Sequence, residues 1–271
     1  MHHNSAGKYR QLTYHIANWW QYFLGKWGLV KGTLTYRLRR QGGTIQVPPA
    51  LTSVFKDIFM KDGYGQQFLQ SQLPTAPVVI DVGANIGLFA SYLKYLLPQA
   101  QIHCFEPLPA NLPLLQANAA SANPTPPSIA VHQAAITGRP QPSVTFYTQP
   151  GQAYSDSATT VPGLFNNHHA LTVAATTLPA FMQQQGISVV HLLKMDAEGS
   201  EYDILYQLPH TLWPAIKHMI IETHDIDEQQ QNLHSLLPYL EAQGMQCHFK
   251  HAVSPGLNVL WLSNKNTNSL P

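Results

Sequence analysis

The feature that most constrains the fold begins at Pro77. An apolar run over residues 78–82 is closed by a glycine turn, and a helix-forming stretch over 87–97 then stops before Pro98. The same alternation repeats down the chain. Strands are expected at 102–105, 129–132, 144–147, 171–174, 189–195, 219–222, 245–250 and 257–262. Helices are expected at 51–60, 109–120, 178–185, 200–208 and 227–243. Strands that are apolar on both faces and separated by helices predict a doubly wound α/β sheet, mostly parallel, with helices on each side. The last two strands are joined by a short Pro-Gly connection and can pair antiparallel as a hairpin at the sheet edge.

With 271 residues, 44% of them hydrophobic, the chain can bury one substantial core plus a short extension. Residues 1–75 read as an N-terminal helical extension or cap, 76–263 as the main domain and 264–271 as a disordered tail. Residues 149–170 read as a loop. Charged residues are only 11%, and 15 Lys and Arg nearly cancel 14 Asp and Glu, so no global field attracts a phosphate backbone; a nucleic-acid partner is disfavoured. The 14 histidines are scattered, and the pair His168-His169 reads as solvated loop. Cys104 and Cys247 lie far apart, each in a run that reads as a buried strand, and are expected as reduced core thiols. No apolar stretch reaches membrane-spanning length and no leader pattern opens the sequence, so a cytoplasmic protein is expected. Residues 16–30 gather Trp19, Trp20, Tyr22, Phe23 and Trp27 around Lys26 and could lie in a membrane interface. Aromatics at helical spacing more commonly pack against a core or a partner subunit, which leaves a homo-oligomer open.

In a sheet of this kind ligands bind at the carboxyl ends of the strands. The first such end reads Asp81-Val82-Gly83-Ala84-Asn85-Ile86-Gly87. Glycines at 83 and 87 allow a tight turn and close approach of a ligand, and the helix that follows offers free N–H groups. The spacing is G-x-N-x-G rather than the G-x-G-x-x-G of dinucleotide sites, and Asp81 places a carboxylate where a diphosphate would dock. A ligand carrying an ammonium and a sulfonium suits that position, and S-adenosylmethionine (SAM) is such a ligand. The second strand ends Phe105-Glu106-Pro107, where Glu106 can accept hydrogen bonds from both ribose hydroxyls; its bland alternative is a helix cap or solvated loop acid. The third offers Gln133 and Ala135 beside Ala134, which could flank an adenine.

The densest polar group is Lys194-Met195-Asp196-Ala197-Glu198-Gly199-Ser200-Glu201. Lys194 and Asp196 share a strand face, as a self-satisfied ion pair or as working groups, and Glu198 and Glu201 suit the start of the next helix. The following strand ends Glu222-Thr223-His224-Asp225. His224 could serve as general base, or Asp196 with Glu222 or Asp225 could hold a divalent cation through hard oxygen ligands.

The stretches DVGANIG at 81–87, FEP at 105–107 and LKMDAEGSEY at 193–202, in this order and spacing, resemble the FkbM-type family of SAM-dependent methyltransferases. The likeness covers roughly 55–262 and takes in Phe55-Lys56-Asp57-Ile58-Phe59, Tyr64 and Thr177-Leu178. Pro179 departs from it, because the family has an acid after the Thr-Leu pair. The resemblance implies a Rossmann-like sheet with an antiparallel edge strand and methyl transfer to an oxygen of a sugar, a polyketide or another small molecule. SAM would be held by Asp81, Gly83, Ala84, Asn85, Gly87, Glu106, Pro107, Gln133, Ala135 and Asp196; Asp196, His224, Lys194 and Glu222 are the catalytic candidates. Tyr154, Ser155, Asp156 and Ser157 are candidates for the acceptor pocket. The rival readings are a nicotinamide-dependent oxidoreductase on a similar sheet and a catalytically silent SAM-fold binding module.

Overall fold

The computed structural model describes residues 5–40, 42–122, 126, 128–148, 159–160 and 169–265. They divide into two compact units: residues 1–77, 84–102 and 110–131 form one, and 78–83, 103–109 and 132–271 the other.

The first unit contains helices α1 (Ser5–His15), α2 (Trp20–Lys26), α3 (Thr52–Phe59), α4 (Gln66–Gln72), α5 (Leu88–Leu96) and α6 (Leu112–Ala122). It also holds a hairpin that the sequence reading missed, β1 (Leu34–Arg37) paired antiparallel with β2 (Thr44–Val47). The cue was present, because Tyr36 and Leu38 are buried and alternate with exposed Arg37 and Arg39, a period of two. Tyr36 stacks on Phe55 at 4.3 Å, Phe55 on Phe59 at 5.2 Å, and Tyr92 meets Phe59 edge-on at 5.1 Å. The buried amide of Asn118 fastens α6 to β2: its Oδ1 accepts the Gln46 N–H and its Nδ2 donates to the Gln46 carbonyl.

A seven-stranded sheet runs in the order β11-β12-β10-β9-β3-β4-β5, with β3 Val78–Val82, β4 Gln101–Phe105, β5 Ile129–His132, β9 Val190–Asp196, β10 Ile216–His224, β11 Met245–Ser254 and β12 Leu257–Asn264. β3, the carboxyl half of β4, and β9 to β12 belong to the second unit. β9 is parallel to both β3 and β10, whereas β12 runs antiparallel to both β10 and β11. The reversed strand therefore lies one place in from the edge, because the final hairpin folds β12 back between β10 and β11. A smaller sheet joins β6 (Ala135–Ile136), β7 (Ser143–Thr148) and β8 (His169–Thr176) in the order β6-β8-β7. The core of this unit is apolar and continuous, with Ile80, Leu193, Met195, Ile221 and Leu262 all buried.

Helix α7 (Leu178–Gln185) starts where expected despite Pro179. The proline sits in the first turn, where its missing N–H would have no helical partner, and the Thr177 hydroxyl caps the Ala180 N–H. Helix α8 covers Glu201–Tyr206. Helix α9 covers only Leu233–Ala242, shorter than expected. Asp227 accepts the N–H groups of Gln229, Gln230 and Gln231 through one oxygen and closes a turn of its own, after which Asn232 caps the helix. Cys104 is buried, but Cys247 is only half-buried because β11 is largely exposed. Asn264 belongs to β12 and is buried rather than opening a tail; residues 266–271 lie outside the described residues. Within the expected 149–170 loop, Thr159 bridges Tyr147 and β8 already begins at His169.

Candidate active site

The strand order turns around between β3 and β9: β4 and β5 follow on one side and β10 on the other. Such a reversal opens a crevice at the carboxyl ends of the strands. Gly83, one residue past β3, is the point where three strands are tied. Its N–H donates to the Phe105 carbonyl at 3.0 Å, and its carbonyl accepts from Lys194 Nζ at 2.8 Å. A Cβ built on it would run into the Asp196 carbonyl oxygen, and its φ of 75° is left-handed, so this position requires glycine on both counts. The turn continues through buried Ala84, Asn85 at φ 50° and Gly87 at φ 78°. Asn118 Nδ2 donates to the Ile86 carbonyl at 2.8 Å and so holds this turn from α6.

Asp81 does not face the crevice as expected. It is fully buried and lies opposite Lys194 in the parallel register of β3 and β9, with Oδ1 3.2 Å from Lys194 Nζ. Burial pushes its pKa up while the lysine pulls it down. Lys194 in turn is 3.9 Å from Asp196 Oδ2. Lys194 is thus a buried counter-charge and a tie to the Gly83 carbonyl rather than a group free for chemistry, and Asp81 is largely neutralised. Other acids line the site.

Those acids stand at the ends of β9 and β10. Glu222 lies beside Asp196 in register. His224 Nε2 is 3.1 Å from Glu198 Oε2, and His224 Nδ1 is 3.3 Å from Glu201 Oε1. Glu201 has a fully buried side chain, and it accepts the N–H groups of Ala197 and Gly199 at 2.9 Å each, pinning a turn in which Glu198 (φ 50°) and Gly199 (φ 98°) are left-handed. Burial opposes charge on His224, but the hydrogen bond to Glu201 and the charges of Glu201, Glu198 and Asp196 outweigh it and raise its pKa to about 10. Burial, reinforced by Asp196, pushes Glu198 up to about 9 and Glu222 up to about 8. A histidine with an acidic side chain against each ring nitrogen is a clamp for the turn and is poorly placed to act as the base that the sequence suggested.

Of the suggested cation ligands, Asp196 and Glu222 lie side by side in register, whereas Asp225 is exposed and its Oδ1 accepts the Leu233 N–H at the start of α9. Among the described residues Asp196, Glu198 and His224 instead bring ligand-type atoms within 4.8 Å of one another. Both His224 nitrogens already face carboxylates, so a metal would have to displace the chain's own ion pairs.

Glu106 is buried at the end of β4, and its Oε1 accepts the Leu108 N–H at 3.0 Å, which sets its orientation; Pro107 follows, half-buried. Gln133 is exposed. Ala135 spends its side chain in a small apolar cluster with Leu108, Phe146 and Val173, so it packs a core rather than facing a base. Thr160 Oγ1 lies 2.9 Å from Ser200 Oγ, which brings the one described piece of the 149–168 stretch to the β9–α8 turn; Tyr154, Ser155, Asp156 and Ser157 lie outside the described residues. Sequence reasoning missed Asn118 and the anchoring task of Glu201. A Glu two residues after a left-handed turn was the only hint of the second.

A mostly parallel seven-stranded sheet with one reversed strand, a glycine turn and an acidic rim at its switch point defines a Rossmann-like α/β fold of the methyltransferase kind. Residues 81–247 match the methyltransferase FkbM domain, and the chain belongs to that family. It is 30% identical to Methyltransferase 1 of Beauveria bassiana (strain ARSEF 2860) over 188 residues, 64% of this chain and 73% of that protein. It is 27% identical to the 31-O-demethyl-FK506 methyltransferase FkbM of Streptomyces tacrolimicus, over 64% of this chain and 75% of that protein. The solved METTL16 MTase domain shares the fold with a TM-score of 0.50 at 12% identity, over 84% of this chain and 75% of that one.

Proposed function

We propose that this chain is a SAM-dependent O-methyltransferase acting on a hydroxyl of a small-molecule or glycan acceptor. The observation that carries the reading is the meeting of side-chain-free Gly83 with the Asp196 backbone at the carboxyl ends of β3 and β9, where Asp196 and Glu222 lie side by side in register. The G-x-N-x-G spacing of the turn, in place of the G-x-G-x-x-G of dinucleotide sites, disfavours the nicotinamide alternative. When bound, SAM supplies an electrophilic methyl on a positively charged sulfur. Gly83, Asn85 and Gly87 give it a backbone cradle, and Glu106 holds the ribose hydroxyls. Asp196, with a side chain 27% exposed against 19% for Glu198, receives the acceptor hydroxyl, orients its oxygen for in-line attack and takes up its proton. Lys194 and His224 are positioning residues that fix Gly83 and the 197–199 turn. Transfer to oxygen rather than nitrogen or carbon is supported by the relative named for a 31-O-demethyl substrate.

The test is calorimetric titration of the protein with SAM and with NADH, followed by measurement of S-adenosylhomocysteine formed with hydroxylated acceptors. Glu106→Ala is expected to lose SAM binding, and Asp196→Asn to keep SAM binding while losing turnover. Binding of NADH in place of SAM would overturn the reading, and full turnover by Asp196→Asn would remove that residue from the reaction.

A further inference from the structure

The aromatic segment before the sheet is not absorbed by any of this. Trp19, Trp20, Trp27, Leu29 and Val30 are 38%, 47%, 66%, 68% and 41% exposed, although the chain's other two tryptophans, Trp213 and Trp261, are buried. The exposed tryptophans join through half-buried Phe23 and Tyr9: Phe23 lies 6.0 Å from Trp19, 5.5 Å from Trp27 and 5.4 Å from Tyr9, and Trp19 lies 6.3 Å from Trp20. An apolar surface of this kind on a water-soluble fold calls for an occupant.

Charge says which. The chain as a whole is nearly neutral, yet no Asp or Glu precedes Asp57, while Arg10, Lys26, Lys31, Arg37, Arg39 and Arg40 are all exposed. A second copy of the chain would bring the same uncompensated positive charge to the same face. A neutral apolar partner would leave the cations without use. An anionic bilayer meets both demands, since tryptophan rings settle at the headgroup level and Lys and Arg pair with lipid phosphates. No helix among the described residues is long and apolar enough to cross a membrane, so the segment would lie on the surface.

We propose that residues 9–40 form a docking face for the surface of an anionic lipid bilayer. The face depends on no residue of the candidate active site, so its failure would leave the methyltransferase reading intact.

The experiment mixes the full chain with vesicles of phosphatidylcholine alone and of phosphatidylcholine with phosphatidylglycerol, and reads co-sedimentation and tryptophan emission. Binding to the anionic vesicles is expected, with a blue shift in emission and loss of binding at high salt. The exposed-site variants Lys26→Glu/Lys31→Glu and Trp20→Ser/Trp27→Ser are each expected to lower partitioning by at least about tenfold, with circular dichroism and melting temperature unchanged to show that the fold persists. Polyglutamate serves as the non-lipid anion. Binding to polyglutamate without binding to vesicles would assign the face to an acidic protein and overturn the proposal. So would absence of sedimentation with anionic vesicles at low salt, or binding that neither pair of substitutions weakens.

Discussion

Asp81 and Lys194 face each other in register on neighbouring parallel strands, one fully buried and the other nearly so. Removing the cation alone would leave a carboxylate with no compensating charge in the core. Lys194→Met is therefore expected to destabilise the fold by about 3–5 kcal/mol, read by denaturant unfolding, and Asp81→Asn/Lys194→Met should recover much of the loss. Full stability of the single variant would show that the pair is not what holds β3 to β9. Gly83→Ala tests the neighbouring contact. The added methyl meets backbone, which cannot swing aside, at a left-handed φ, so SAM binding is expected to vanish in calorimetry. Asp81, Gly83, Glu106 and Asp196 were visible in the sequence because each sits at a fixed place after an apolar run. Their orientation was not. Which carboxylate meets Lys194 depends on register between strands more than a hundred residues apart, as the 111-residue separation of the Lys194–Gly83 bond shows.

At the scale of elements, the turn joining β9 to α8 concentrates the charge chemistry of the site. Glu198 and Glu222 have folded pKa values of about 9 and 8, above their ordinary 4.5, and His224 has one of about 10, above 6.5. In all three the folded state holds its proton longer than the unfolded chain, so stability falls as pH rises. For the acids the loss runs upward from 4.5 to about 8 and 9, and for the histidine from 6.5 to about 10. The melting temperature of the ligand-free protein is expected to drop from neutral pH to pH 10, and Glu198→Gln should flatten the drop. A melting temperature constant over that range would rule out the coupling. Helix α7 illustrates an element that the sequence defined almost completely, because its cap and its stop, Gly186, are local. Thr177→Ala should cost about 1 kcal/mol in denaturant unfolding. The hairpin β1–β2 was hidden because its alternation runs over only four residues in each strand.

Each of the two units carries a histidine buried as the neutral form. Burial lowers His15 to about 4, with Arg40 adding to it, and lowers His103 to about 4, with His132 adding to it. Here the unfolded chain takes up the proton first, so stability is lost as pH falls from 6.5 toward about 4. Between pH 4.5 and 6.5 these histidines and the rim acids act in opposite directions, and above 6.5 only the β9–α8 rim acts, so stability is expected to peak on the acid side of neutrality. His15 sits among the rings of Phe59, Tyr92 and Tyr95, and its Nδ1 is buried with no hydrogen-bond partner among the described residues. His15→Phe should keep the ring packing and move the acid unfolding midpoint to lower pH; an unchanged midpoint would assign the acid sensitivity elsewhere.

The sequence by itself determined the alternation of strands and helices that begins at β3, the switch-point motifs and the family, because apolar periodicity, glycine turns and caps act over a few neighbouring residues. Only the tertiary structure decided that Asp81 is spent on Lys194, that His224 is gripped by Glu198 and Glu201, and that Ala135 packs a core. Those pairings join residues far apart in the chain, and burial, which sets the charge each one carries, exists only once the strands are in register.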